Sequence, residues 1–144
     1  MKQNYNNHIR YYPPHHFYFY SIILAATAWS GWHISRAPEH RDEWIAITLI
    51  IFLIGWLSFM LRQHYALTNQ NRIVRLEVRL RYYQLAGKRF EDIEHKLTFG
   101  QIAALRFTSD EELVALTEKA LNENMKPDAI KRSIKNWLPD NMRV

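Results

Sequence analysis

Residues 44–61 read WIAITLIIFLIGWLSFML, a run without a single Asp, Glu, Lys or Arg. As a helix rising 1.5 Å per residue it would be about 27 Å long, close to the roughly 30 Å hydrocarbon core of a bilayer. An equally long run, FYFYSIILAATAWSGWHI at 17–34, also lacks those four residue types. Aromatic rings crowd the ends of both: Tyr11, Tyr12, Phe17, Tyr18 and Tyr20, then Trp29 and Trp32, then Trp44 and later Tyr65. Such rings favour the head-group level of a membrane. A chain of 144 residues has too little left over to cover two such helices as a soluble core. Two transmembrane helices are therefore expected.

The polar link SRAPEHRDE at 35–43 separates them. A short connection containing a proline joins only antiparallel neighbours, so the two spans should form a hairpin. Ser21, Ala25 and Ala28 recur at i, i+4 and i+7 on the first helix, and their small side chains predict a close approach of the second near Gly55. Orientation follows from Lys and Arg. The link carries Arg36 and Arg41 and the N-terminal arm Lys2 and Arg10, whereas Arg62, Arg72, Arg75, Arg79, Arg81, Lys88 and Arg89 follow the second run. The positive-inside tendency puts both termini in the cytoplasm. The small-residue triplet at 26–28 resembles a signal-peptidase site, but Trp29 and Trp32 sit badly just past one and the preceding arm is long.

The chain is basic, with a net charge of +5, but unevenly so. Residues 62–87 carry +4, while residues 88–144 are neutral, with ten basic and ten acidic side chains. The basicity is thus juxtamembrane. It centres on NRIVRLEVRLRYY at 71–83, where Arg72, Arg75, Arg79 and Arg81 stand against Glu77. Alternation within this stretch resembles a strand. Yet Ile73, Leu76, Leu80 and Tyr83 share a helical face at i, i+3, i+7 and i+10, and Glu77 precedes Arg81 by four, the favourable order for a helical ion pair. Arg, Leu and Glu are good helix formers, so a helix continuing from the second span is expected.

Val74, Val78 and Leu85 form a second apolar stripe roughly opposite the first. A helix apolar on two sides is rarely a bare solvated stalk. One side should pack on the chain's own C-terminal part, leaving Ile73, Leu76, Leu80 and Tyr83 for a protein partner or a second copy. The alternative assigns Arg72, Arg75, Arg79 and Arg81 to phosphates of anionic lipid or RNA. If the helix runs straight, Arg72 stands about 15 Å beyond Arg62 and Arg79 about 25 Å. A Debye length of about 8 Å puts both outside the leaflet's field unless the chain bends at residues 68–71.

The C-terminal part holds three helix starts. Thr98 with Gln101 and Ser109 with Glu112 match the capping box, and Pro127 suits a first helical position. Helices are expected near 99–106, 110–123 and 127–137. The core should comprise Phe99, Ile102, Leu105, Phe107, Leu113, Leu116, Leu121, Ile130, Ile134 and Trp137. Paired short helices suggest helix-turn-helix DNA binding, but the second carries Asp110, Glu111, Glu112, Glu118 and Glu123 against Lys119, which phosphates would repel. Nucleic acid is not expected as a partner. A basic edge, Lys131, Arg132 and Lys135, lines the last helix.

Four stretches, QNYNNH near the start, NRIVRLE after the second run, ALRFTSDEEL, and AIKRSIKNWLPDNMRV at the end, together resemble a family of small bacterial membrane proteins of unknown function. The resemblance covers nearly the whole chain and implies an integral protein of the bacterial cytoplasmic membrane. It carries over no activity and no catalytic residues.

No reaction can be read from the sequence. The absence of cysteine excludes disulfides, thiolate zinc and cysteine nucleophiles, and no phosphate loop, metalloprotease helix or nucleophile elbow occurs. Of the seven histidines, His15, His16 and His64 would lie near one membrane boundary and His33 and His40 near the other. Paired helices can hold haem or metal through facing imidazoles, giving a redox subunit as the weakest alternative. The resulting expectation is an all-α membrane protein with no catalytic residues, cofactor or metal. It comprises a cytoplasmic arm at 1–16, a transmembrane helical hairpin at 17–61, a long basic juxtamembrane helix at 62–87 and a small cytoplasmic three-helix module at 88–144. Its partners are membrane lipids and another protein or a second copy, and its role is that of a non-enzymatic adaptor or accessory subunit.

Overall fold

The computed structural model describes residues 3–9 and 11–140. Lys2 and Arg10, counted above for orientation, and residues 141–144 of the last motif lie outside them. The described residues form helices and turns, with one isolated β-bridge between Thr108 and Trp137. They divide into two compact units: residues 11–67, and residues 3–9 together with 68–140.

In the first unit a π-helical turn, Pro14–Phe19, leads into α1 (Tyr20–Arg36). Ala37 closes α1 by donating its N–H to the His33 carbonyl at 2.9 Å, and Pro38, which has no N–H, starts a single 3₁₀ turn. α2 (Arg41–Met60) follows without a side-chain cap, but Asp42 and Glu43 in its first turn complement the positive end of its dipole. The two helices pack against each other, and the contact is not the one expected. Ser21, Ala25 and Ala28 are exposed, while Ser30 is fully buried and Ile23, Ala26 and Thr27 are half-buried. The hydroxyls decide the face: Thr48 bonds to Ser30 across the pair at 2.9 Å, and a polar side chain on an apolar helix gains most by turning inward to such a partner. Gly55 does admit the close approach expected of it, since a Cβ there would sit 3.1 Å from Ile23 Cγ2.

Helical structure continues from α2 through a π-helical turn, Leu61–Ala66, into α3 (Leu67–Ala86). Among the described residues, this run, Pro38–Ala86, is the one helix long and apolar enough to cross a membrane, and none of its apolar window is buried inside the protein. Tyr, Trp, Ser, Thr and His dilute the apolar character of α1.

In the second unit α3 ends where Gly87 adopts φ +64°, its N–H closing on the Tyr83 carbonyl at 2.9 Å; a side chain would strain that left-handed turn. Four short helices follow: α4 (Glu91–Glu94), α5 (Phe99–Leu105), α6 (Asp110–Asn122) and α7 (Pro127–Ser133). α5 starts with the full capping box, Thr98 N–H donating to Gln101 Oε1 at 2.7 Å and Gln101 N–H to Thr98 Oγ1 at 3.4 Å. Ser109, by contrast, does not cap α6 through its side chain. Glu112 turns instead to the C-terminal segment, accepting from Lys135 N–H at 3.1 Å and Asn136 Nδ2 at 3.4 Å.

α7 stops short of the expected residue 137. Ile134 is extended, and the following residues run beside 107–109: Ser109 N–H donates to the Asn136 carbonyl at 3.1 Å and Leu138 N–H to the Phe107 carbonyl at 2.8 Å. Pro139 disfavours helix at Leu138, and this short pairing satisfies the backbone groups that the helix gives up.

The core unites these pieces. Ile102, Leu105, Phe107, Leu113, Leu116, Ile130 and Ile134 are buried as expected, with Leu121 and Trp137 packed partly buried against them. Phe99 lies outside this cluster, half-buried. Val78, Tyr82, Phe90, Leu97, Ala104 and Ala120 complete it. The N-terminal arm also belongs to this unit. Gln3 Oε1 accepts from Asp140 N–H at 2.7 Å, and the His8 ring meets Phe107 edge-on and Trp137 at a tilt, each at 5.8 Å between centroids.

Candidate partner-binding face of the long helix

Three sides of α3 have different fates. Val74, Val78 and Tyr82, spaced by four, are buried, and Val78 and Tyr82 belong to the core of the module. Leu85, expected in the same stripe, is exposed because the chain turns away at Gly87 two residues later.

Arginines clasp the buried stripe from both flanks. On one flank Arg75 and Arg79 converge on Glu94, Arg79 Nε donating to Glu94 Oε2 at 2.7 Å and Arg75 Nη1 to Oε1. Burial pushes the Glu94 carboxyl up, but hydrogen bonds from Arg79 and then Arg75 outweigh it and hold the group below the usual carboxylate range. The Arg75 guanidinium also lies over the Phe99 ring, 5.3 Å from its centroid. On the other flank Arg81 donates to the carbonyls of Arg106 at 3.0 Å and Thr108 at 2.6 Å, and to Asp110 Oδ1 through Nη2 at 2.7 Å. Glu77, four residues away on the same helix, is passed over. Two buried-side carbonyls and a carboxylate offer Arg81 three acceptors in one place, against a solvated helical pair worth about 0.3–0.5 kcal/mol.

The remaining side carries Ile73, Leu76, Leu80 and Tyr83, with 63%, 59%, 58% and 56% of their surface exposed. These four expected contact residues therefore share one uncovered apolar face. Of the four arginines, three are directed into the fold, while Arg72 is exposed and makes no ion pair among the described residues.

A separate basic groove lies where the arm meets α7, lined by Tyr5, Lys131, Arg132, Lys135 and Trp137 among others. Its cations are partly engaged. Arg132 donates to the Tyr5 hydroxyl at 3.1 Å and lies over that ring. His8 Nδ1 sits 2.6 Å from the Tyr5 carbonyl, so that nitrogen carries the proton and Nε2 accepts from the Lys131 ammonium at 3.1 Å. Nothing local in the sequence announces this contact. The histidines considered for haem or metal are scattered: His33 stacks on Trp44 at 4.3 Å and His15 neighbours His16 at 5.5 Å. Among the described residues no group of three or more His, Asp or Glu is placed to hold a metal ion.

No curated protein and no solved structure matches the chain. One family model does, and it covers residues 1–144, so the chain belongs to a family of unknown function, DUF6526.

Proposed function

We propose that this chain is a non-enzymatic integral membrane protein, an adaptor or accessory subunit that holds a helical module beside the membrane and offers the outer face of α3 to another protein. The observation that carries the reading is the face formed by Ile73, Leu76, Leu80 and Tyr83. The rest of α3 is satisfied: its buried stripe packs on the module, and Arg75, Arg79 and Arg81 find acceptors there. Four large apolar side chains left more than half exposed each forgo on the order of 1 kcal/mol of transfer free energy, a stripe that a protein surface can bury.

The membrane topology draws support from the N-terminal arm. Residues 3–8 touch Lys131, Arg132, Trp137 and Asp140, contacts that support the reading in which the arm and the module share one side of the membrane. An even number of crossings fits that reading. On this reading α2 is one span and α1 its return, and the +4 of residues 62–87 supports a shared side facing the cytoplasm of a bacterial inner membrane.

Contact of the arginines with anionic lipid or RNA draws less support, because Arg75, Arg79 and Arg81 would have to leave Glu94, Asp110 and two carbonyls first. The discriminating experiment places a photo-crosslinking amino acid at Leu80 or, as a control, at Glu118 on α6, in cells expressing the full chain. Protein adducts from Leu80 alone are expected. Lipid adducts alone would overturn the adaptor reading.

A further inference from the structure

We infer, building on the reading of this face as protein-binding, that its occupant is a second copy of the chain, aligned parallel to the first as a short two-stranded coiled coil. Ile73, Leu76, Leu80 and Tyr83 are spaced three, four and three residues apart, the a, d, a, d pattern of two heptads. A β-branched residue at the first a position followed by Leu at d is the choice that favours two strands. In this register the buried residues Val74, Val78 and Tyr82 fall at b, f and c, away from the seam. The buried stripe is therefore outside the seam, and the module reaches the seam's edge through the bond between Glu94 and Arg79, a g position.

Charge chooses both the partner and its direction. Arg72 falls at g and Glu77 at the following e. Both are exposed, and neither makes an ion pair among the described residues. In a parallel pair each g residue meets the e residue five positions on in the partner, so Arg72 of one copy meets Glu77 of the other, twice by symmetry. An antiparallel pair would set g against g and e against e, leaving Arg72 without an acidic residue to meet and Glu77 without a basic one. The internal ion pairs of α3 leave unused the one basic and the one acidic side chain that a parallel copy would match.

Two heptads fall short of the three to four that mark a self-sufficient coiled coil. Confinement of both copies to one membrane in one orientation supplies the missing effective concentration and imposes the same parallel alignment.

The test uses the full-length chain in native membrane vesicles, where the absence of natural cysteines makes single-cysteine oxidation clean. Asn69 occupies the preceding d position and Asn71 an f position. Asn69→Cys should give a disulfide-linked dimer and Asn71→Cys should not. Into the Asn69→Cys background, Arg72→Glu or Glu77→Arg alone should each lower the linked dimer about tenfold, since two attractive contacts become two repulsive ones. Co-expressing the two single variants should restore it, because every g–e contact in the mixed pair is again of opposite sign. Both substituted positions are exposed and make no ion pair among the described residues, so loss of folding is not a route to these results. Insensitivity to the charge changes, or failure of the mixture to recover, overturns the parallel pair. Linkage of position 69 to a different protein overturns the self-association and leaves the protein-binding face standing. Lipid-only photo-adducts from Leu80 would remove both.

Discussion

Replacing Glu94 by Gln tests how α3 is bound to its module. Glu94 is 8% exposed, and its carboxylate receives hydrogen bonds from two guanidinium groups. A charged hydrogen bond to a buried partner contributes about 1.5–3 kcal/mol, but the Arg75 and Arg79 side chains retain 37% and 34% exposure and recover part of that from water. The net loss should be about 2 kcal/mol. Amide hydrogen exchange in α5 and α6, measured on the full chain in detergent at pH 7, should accelerate roughly 30-fold. The pH dependence supplies a second reading. The folded pKa of Glu94 is lowered, so its contribution is fully present above the unfolded value near 4.3 and is lost as pH falls through the folded one. After correction for intrinsic exchange, the gap between wild type and Glu94→Gln should therefore narrow below pH 4. Equal exchange rates at pH 7, or a gap that survives unchanged at pH 3, would refute the clamp.

Four further outcomes follow from the same contacts. Arg81→Ala should destabilise the module by about 2 kcal/mol through its two backbone carbonyls and Asp110, whereas Arg72→Ala should stay within about 0.5 kcal/mol of wild type in the same exchange assay. Thr98→Ala removes the α5 cap and should cost about 1 kcal/mol, read as faster exchange confined first to residues 99–105. Gly55→Leu must displace Ile23 and should weaken the α1–α2 pair, seen as loss of an oxidative cross-link between cysteines placed at Ser30 and Thr48. Leu76→Asp should leave module exchange unchanged while abolishing photo-adducts from Leu80, since Leu76 packs on nothing within the unit's core.

Signals that act over a few residues were legible in the sequence. The Thr98–Gln101 cap, Pro127 at the start of α7, the special place of Gly55 and the shared face of Ile73, Leu76, Leu80 and Tyr83 are all encoded within a turn or two of helix. Where a distant group competes with a local one, local spacing misleads. Arg81 leaves Glu77 for Asp110, 29 residues away, and Glu112 leaves its cap for residues 135 and 136. On α1 the size pattern of Ser21, Ala25 and Ala28 pointed to the wrong side, because hydrogen bonding by Ser30 and Thr48 decided which side packs. The docking of the arm joins His8 to Lys131 across 123 residues, and no periodicity in the sequence carries such a contact.

The most direct test of the adaptor reading is the native mass of the particle that the full chain forms, extracted gently from membranes at natural expression. The expected particle has a fixed protein stoichiometry of at least two chains, reduced to single copies by Leu76→Asp. A single copy carrying only lipid, unchanged by that substitution, would contradict it.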